Sequence, residues 1–120
     1  MDSKDLAKVR NKIKGDCGEA ITISFLKKNG YKILETNYKN KIGEIDIIAL
    51  KSGVVCFVEV KRRSTLAFGR PIEAVDHKKQ QKIRRVAEFY LMVKHKTFAD
   101  VRFDVVEIVG DEISIVENAF

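Results

Sequence analysis

Three charged residues, Asp46, Glu59 and Lys61, interrupt the two stretches of this sequence that otherwise look most like buried strands, GEIDIIALK and VVCFVEVKRR. The residues KSG where these stretches meet predict a tight turn, so the two strands should pair as an antiparallel hairpin. If Lys51 faces Val54, one face of this charged hairpin becomes wholly apolar, whereas a slip of one residue mixes the two faces. The apolar face then pairs Ala49 with Cys56, Ile47 with Val58 and Ile45 with Val60.

The same register puts two carboxylates side by side on the other face, with Asp46 opposite Glu59 and Glu44 opposite Lys61. Like charges across an antiparallel pair are destabilising by something on the order of 0.2 to 1 kcal/mol, a cost that a bound cation would remove. Mg²⁺ takes oxygen ligands, usually one or two carboxylates completed by water, phosphate or main-chain carbonyls. Lys61, two residues beyond Glu59, could offset the charge that develops on a phosphate.

This combination suits metal-assisted hydrolysis of a phosphodiester. The alternative is a salt-bridge ladder on a solvated sheet face. Apolar residues at the far end of the same face weigh against full exposure; they are Ile48, Leu50, Val55 and Phe57.

The first half of the chain predicts a helix and a strand around this hairpin. A pattern close to helical periodicity runs from Leu6 to Ser24, with Ser3 as a candidate N-cap and Gly30 as a C-terminal stop. Glycines inside this pattern, at positions 15 and 18, favour a later start of the helix near residue 15. The segment YKILETNY then predicts a strand.

The second half predicts a helix followed by a hairpin. Asp76 is a candidate N-cap for a helix whose apolar stripe consists of Ile83, Val86, Ala87, Tyr90 and Leu91. VRFDVVEIV and ISIV, joined by a turn at Gly110 and Asp111, predict two antiparallel strands. The order is therefore αβββαββ. It indicates an α/β fold with a mixed sheet and helices in two or three layers, in one domain over residues 1–120.

Charge favours a polyanionic partner such as nucleic acid. Lys and Arg outnumber Asp and Glu by 23 to 17, which gives a net charge of +6. Basic residues recur on the second helix and beside the charged hairpin, and we predict that they contact phosphates: Arg62, Arg63, Arg70, Lys78, Lys79, Lys82 and Arg85. The alternative is an ordinary solvated basic surface.

Several other classes are disfavoured. Uninterrupted apolar runs reach only five residues and the N-terminus is charged, so we expect a cytoplasmic protein with no membrane partner. Cys17 and Cys56 lack metal-ligand spacing and are interpreted as small buried residues. His77 and His95 lack partners at catalytic spacing.

The motifs GEID and FVEVKRRS, separated by an apolar run and a short turn, resemble the core of the PD-(D/E)XK restriction-endonuclease-like superfamily. More narrowly, the chain resembles the YraN-like family of predicted endonucleases, which are similar to Holliday-junction resolvases. The resemblance covers nearly the whole chain, through GDCGEAITISFLKKNGYKILETNY, FGRPIEAVDHKKQQKI, RFDVV and the terminal ENAF.

The resemblance implies a restriction-endonuclease-like mixed sheet flanked by helices. It also implies a Mg²⁺- or Mn²⁺-dependent endonuclease that acts on DNA, including branched DNA. Asp46, Glu59 and Lys61 match the catalytic motif, and Glu19 matches the helical glutamate that resolvase-like members add to the metal site. The predicted metal ligands are Glu19, Asp46, Glu59 and Val60. Ile45 stands where the motif name has proline.

Two other functions stay open. One is a nucleic-acid-binding module with little or no turnover, and the other is an adaptor domain whose charged hairpin is an interaction surface. The sequence does not distinguish DNA from RNA. A branched substrate with two-fold symmetry would suit a homodimer, but the sequence does not set the oligomeric state.

Overall fold

The computed structural model describes residues 19–63 and 75–120 of the chain. Helix α1 occupies residues 19–28 of the described part, and helix α2 spans His77–Val93. The strands are β1 (Lys32–Lys39), β2 (Glu44–Lys51), β3 (Val54–Arg63), β4 (Asp100–Val109) and β5 (Glu112–Val116). The predicted order αβββαββ is confirmed.

The strands form one mixed sheet in the order β1-β2-β3-β4-β5. Only β3 and β4 are parallel, because α2 carries the chain back across the sheet between them; the other three pairs are antiparallel. The register predicted for the charged hairpin is confirmed from Lys51 opposite Val54 to Ile47 opposite Val58.

The two helices of the described residues cover opposite faces of the sheet, which makes three layers in this part of the chain. On one face, the apolar stripe of α2 packs against a core cluster that includes Ile48 and Phe57. On the other, Leu26 of α1 packs with Ile47 and Val58. Neighbouring strand residues alternate between these clusters because successive side chains of a strand point to opposite faces.

The ends of the helices are set by local signals that the sequence carries. Gly30 adopts a positive φ of 87°, and the Tyr31 N–H donates to the Leu26 carbonyl at 2.9 Å, which ends α1 where predicted. Asp76 caps α2 by accepting the Lys79 N–H at 2.8 Å, as predicted. The start of α2 is thereby fixed beside the charged hairpin.

One part of the predicted hairpin is wrong. Ile45 was expected on the same face as Ile47, but it is buried in the cluster under α2, whereas Ile47 belongs to the cluster under α1. The β2–β3 ladder ends at Ile47, so it contains none of the pairs predicted beyond that residue. The alternation of β2 therefore breaks at Asp46, which lies between these two isoleucines.

Cys56 is a buried free thiol, as predicted, and burial raises its pKa to about 11. Within the described residues, neither helix is long and apolar enough to cross a bilayer. The predictions for Ser3, Gly15, Cys17, Gly18 and Arg70 fall outside the described residues.

Candidate catalytic and nucleic-acid-binding site

Asp46 lies where β2 breaks its alternation, and it forms a wall shared by two clefts on opposite sides of the sheet. Its Oδ2 accepts the Val60 N–H at 2.8 Å, a hydrogen bond that ties the start of β2 to the end of β3. The main chain of Val60 therefore holds the carboxylate in place. We call the two spaces the α2 cleft and the α1 cleft, after the helix on each side.

The α2 cleft, with a volume of about 290 Å³, joins Asp46 to Glu59. Glu59 is only 7% exposed, yet its Oε1 lies 2.6 Å from Lys79 Nζ and 3.6 Å from Lys61 Nζ. One carboxylate oxygen thus faces two ammonium groups, one from its own strand and one from the first turn of α2. The predicted cluster of Asp46, Glu59 and Lys61 is brought together, with Lys79 added to it.

Burial and the negative charge of Glu59 make the ionised form of Asp46 unfavourable. Its pKa is raised to about 6, first by burial and then by the negative charge of Glu59, while the Val60 N–H acts in the opposite direction. The pKa of Lys61 is lowered by burial and by the neighbouring Lys79. Burial also opposes the charge of Lys79, but contacts with Glu59 and Lys61 outweigh it and raise its pKa. Two acids and two bases therefore share one partly desolvated space.

The α1 cleft, about 220 Å³ in volume, joins Asp46 to Glu19 and Arg62. Glu19 Oε1 accepts a hydrogen bond of 2.9 Å from Asn37 Nδ2, on β1. Asn37 adopts a positive φ of 50° within the strand and lies between the residues that pair β1 with β2 on either side of Asp46. This is backbone strain beside the site, in a residue type that tolerates the left-handed region.

The donor set fits a hard cation in part. Asp46 and Glu59 provide two carboxylates on neighbouring strands, which is the number that Mg²⁺ commonly takes from protein, with water or phosphate completing the shell. Glu19 lines the α1 cleft together with Asp46. Within residues 19–63 and 75–120, no three His, Cys, Asp or Glu side chains are grouped closely enough to hold a metal by themselves.

A basic groove of about 670 Å³ continues from the α2 cleft along helix α2. It is lined by Ile42, His77, Lys78, Gln81, Lys82 and Arg85. Lys82 borders both spaces, because its stem packs against Gly43, where a Cβ would lie only 3.1 Å from Lys82 Cε. A Cβ at position 43 would also lie 3.4 Å from Val86 Cγ2, so the glycine leaves room for the Lys82 stem beside the α2 cleft.

The remaining predicted cations have different surroundings. Arg62 lines the α1 cleft rather than the basic groove, and Arg63 ends β3. Arg84, which lies outside the predicted phosphate-binding set, is 4.7 Å from the ring centroid of Phe103 and 5.7 Å from that of Phe120, so it links Phe120 to α2. Lys79, predicted to contact phosphates, lies against Glu59 instead of along the basic groove.

Sequence reasoning missed Asn37 and the position of Lys79. Lys79 lies three residues after the N-cap, which places it in the first turn of α2, but helical periodicity does not tell which strand end that turn approaches. For Asn37, the only sequence signal was the tolerance of asparagine for positive φ within a segment that otherwise predicts a strand.

Fold and site together define a class: an α/β protein with a five-stranded mixed sheet, in which paired carboxylates on two central strands adjoin a basic helix. The model of the family described as "Uncharacterised protein family UPF0102" matches residues 18–108. The chain belongs to this family, which confirms the predicted relationship to the YraN-like proteins.

Relatives described as "UPF0102 protein" match across most or all of the chain. The relative from Acetivibrio thermocellus is 47% identical over 130 aligned positions that cover 100% of both chains. The relative from Alkaliphilus metalliredigens is 49% identical over 109 residues, covering 88% of this chain and 96% of its own. That from Dictyoglomus thermophilum is 48% identical over 101 residues, covering 84% and 86%.

Proposed function

We propose that this protein is a divalent-metal-dependent endonuclease that hydrolyses phosphodiester bonds in DNA, and that its fold belongs to the PD-(D/E)XK superfamily. The observation that carries the proposal is the position of the Asp46 and Glu59 carboxylates, which are adjacent in a cleft that opens into the basic groove. Two adjacent carboxylates lower the stability of the fold. Beside a groove lined with basic side chains, they are suited to phosphate chemistry.

In this proposal the residues of the groove bind and the residues of the α2 cleft react. Lys78, Lys82 and Arg85 contact successive phosphates without reading bases. Asp46 and Glu59 hold Mg²⁺ or Mn²⁺, which, when bound, lowers the pKa of water and withdraws charge from the phosphoryl group. Lys61, anchored on rigid β3, then stabilises negative charge on the phosphate that enters the cleft.

Glu19 has a supporting role in this proposal. Held by Asn37, it approaches Asp46 from the opposite cleft. The orientation of the Asp46 carboxylate itself is set by the Val60 N–H. In its fuller form, the proposal places the protein in the cytoplasm and gives it branched DNA as its substrate. The protein would act as a homodimer whose two-fold symmetry matches that of the DNA.

A second function is favoured by a specific contact. Lys79 Nζ lies 2.6 Å from Glu59 Oε1 and neutralises this carboxylate. A module that binds nucleic acid in the basic groove and has little turnover would need no more than this arrangement. The two functions differ only in whether the carboxylate pair accepts a metal ion and cleaves.

Labelled DNA in linear, nicked, four-way and single-stranded form, incubated with Mn²⁺ or Mg²⁺, tests the proposal. Wild-type protein should cleave at least one form, and chelator should stop cleavage. Glu59→Gln should abolish cleavage and leave DNA binding intact. Glu88→Gln, which changes a carboxylate on the exposed side of α2, is the matched control and should cleave like wild type.

Intact substrates in both metals, with salt-sensitive binding preserved, would favour the binding module. Loss of both cleavage and salt-sensitive binding would leave the adaptor function. Cleavage that survives in Glu59→Gln would place the active site elsewhere.

A further inference from the structure

Lys79 is the feature of the α2 cleft that the proposed function does not use. Its ammonium makes a closer contact with the buried Glu59 carboxylate than Lys61 does, 2.6 Å against 3.6 Å, and both meet the same oxygen, Oε1. A cation bound between Asp46 and Glu59 would compete with both ammonium groups for the negative charge of the Glu59 carboxylate. Lys79, the closer of the two ammonium groups, therefore opposes metal binding by neutralising this carboxylate.

The two lysines differ in how freely they can leave. Lys61 projects from a strand that is paired with β4 through its whole length, and its side chain is 24% exposed. Lys79 is 41% exposed, and only its backbone is fixed, through the hydrogen bond to the N-cap Asp76. Its ammonium group, at the end of a four-carbon stem, can move away from Glu59 while the helix stays in place.

A released Lys79 has an obvious second partner. It borders the α2 cleft together with Lys82, which also borders the basic groove. A nucleic-acid phosphate in that groove is the anion best placed to compete with Glu59 for the Lys79 ammonium. The same movement that frees the Glu59 oxygen would then add a phosphate contact.

We infer that Lys79 is a displaceable counter-ion of Glu59 that couples metal binding to nucleic-acid binding. In the free protein, the Lys79 ammonium group lies against the Glu59 carboxylate and weakens metal binding. When a phosphate draws it away, the metal site becomes available, so each ligand favours the other by the same factor. This inference rests on the proposed metal site, but it concerns binding and is independent of turnover.

Calorimetric titration with Mn²⁺ in the absence of nucleic acid tests the inference directly. Lys79→Gln should bind Mn²⁺ about 5-fold or more tightly than wild type, the lower end of usual coupling between sites. Lys79→Arg, which keeps a charge over Glu59, should behave like wild type. The matched control is Lys96→Gln, which removes an exposed lysine beyond the far end of α2 and should leave Mn²⁺ affinity unchanged.

The reciprocal measurement uses a DNA duplex with phosphorothioate linkages. Its binding to the protein is measured by fluorescence anisotropy with and without Mn²⁺. Mn²⁺ should tighten duplex binding to wild type about 5-fold or more, and this enhancement should be lost in Lys79→Gln. Lys78→Gln should bind the duplex more weakly under both conditions but keep the enhancement. Thermal melts of each variant establish that it is folded.

The outcomes separate this inference from the proposed function. Equal or weaker Mn²⁺ affinity in Lys79→Gln overturns the role of Lys79, even if wild-type protein cleaves DNA. If the Mn²⁺ and duplex affinities change as expected but wild-type protein does not cleave DNA, Lys79 keeps its role as counter-ion and the endonuclease proposal is rejected. If neither wild type nor Lys79→Gln binds Mn²⁺, both ideas fail.

Discussion

Two polar clusters in this molecule each contain a buried carboxylate, and they are built in opposite ways. Asp104, fully buried, accepts hydrogen bonds from Arg102 Nε at 2.9 Å, from Tyr31 OH at 3.2 Å and from the Asn118 N–H at 2.8 Å. Glu59 shares its cleft with a second acid and two lysines. We call these the closed cluster and the open cluster.

The closed cluster satisfies every charge it contains. Asp104 raises the pKa of Arg102, through a hydrogen bond above all, and burial followed by the charge of Asp104 raises the pKa of the Tyr31 hydroxyl. Arg102 is thereby held protonated and Tyr31 neutral, and the cluster ties the end of α1 to β4 and to the C-terminal segment. Such complementarity stabilises a fold and leaves no capacity for a ligand.

The open cluster has the reverse character. Asp46 lies near Glu59, a carboxylate with the same negative charge, and it borders two clefts. Local strain at Asn37, next to Asp46, adds to this cost. An arrangement that costs stability and faces open space is typical of a functional site, and the difference between the two clusters is therefore testable as stability against binding.

The largest expected effect is in the closed cluster. Asp104→Ala removes the partner of Arg102, so we expect the free energy of unfolding to fall by about 3 to 5 kcal/mol, as for a broken buried ion pair. Denaturant unfolding followed by circular dichroism measures it. A loss below about 1 kcal/mol would mean that Asp104 and Arg102 do not stabilise the fold as a pair.

Metal should affect the open cluster alone. Added Mn²⁺ at 100 times its dissociation constant should stabilise wild-type protein by about 2.7 kcal/mol, the linkage expected for one site. Glu59→Gln should lose this stabilisation, and removal of the metal by chelator should reverse it. The melting temperature of Asp104→Asn should respond to Mn²⁺ like that of wild type. This result would confirm that the closed cluster takes no part in metal binding.

Neutralising Asp46 should stabilise the metal-free protein. Because the folded-state pKa of about 6 exceeds the usual value of 3.8, wild-type stability should fall as pH rises from about 4 to 6 and then level off. Asp46→Asn keeps an acceptor for the Val60 N–H and removes the repulsion, so it should be more stable at pH 7 by about 1 to 3 kcal/mol. Thermal melts with chelator at pH 4.5 and pH 7 compare the two proteins. Lower stability of Asp46→Asn at pH 7 would contradict the electrostatic account.

The smallest effects concern the basic groove. Lys82→Gln and Arg85→Gln should each weaken binding to DNA of any sequence and reduce the slope of log affinity against log salt by about 1. Lys96→Gln, an exposed charge change beyond the far end of α2, is the control and should leave the slope unchanged. Equal slopes for all variants would remove the groove from the binding surface. Anisotropy titrations at several salt concentrations provide these slopes.

Most of the fold could be predicted from the sequence because its signals are local. The turn KSG with its apolar pairing set the register from Lys51–Val54 to Ile47–Val58, Gly30 ended α1, and Asp76 began α2. Each of these signals acts over a few residues. The pairing of Asp46 with Glu59 as neighbours also followed from the hairpin, although the ladder itself stops one pair earlier.

The rest of the site depends on contacts between distant segments. Perfect alternation would have put Ile45 with Ile47, but Ile45 packs under α2 on the other face, and Asp46 borders both clefts. Hydrophobic periodicity carries no information about such a break, because it arises from the helices that cover the sheet.

By itself, the sequence determined the order of elements, the hairpin register and the identity of the paired carboxylates, since turns, caps and strand alternation are local physical chemistry. Only the tertiary structure decided that Lys79 meets Glu59, 20 residues away, and that Glu19 and Glu59 approach Asp46 from opposite sides. Those contacts depend on where each helix packs across the sheet, which is set by the whole core.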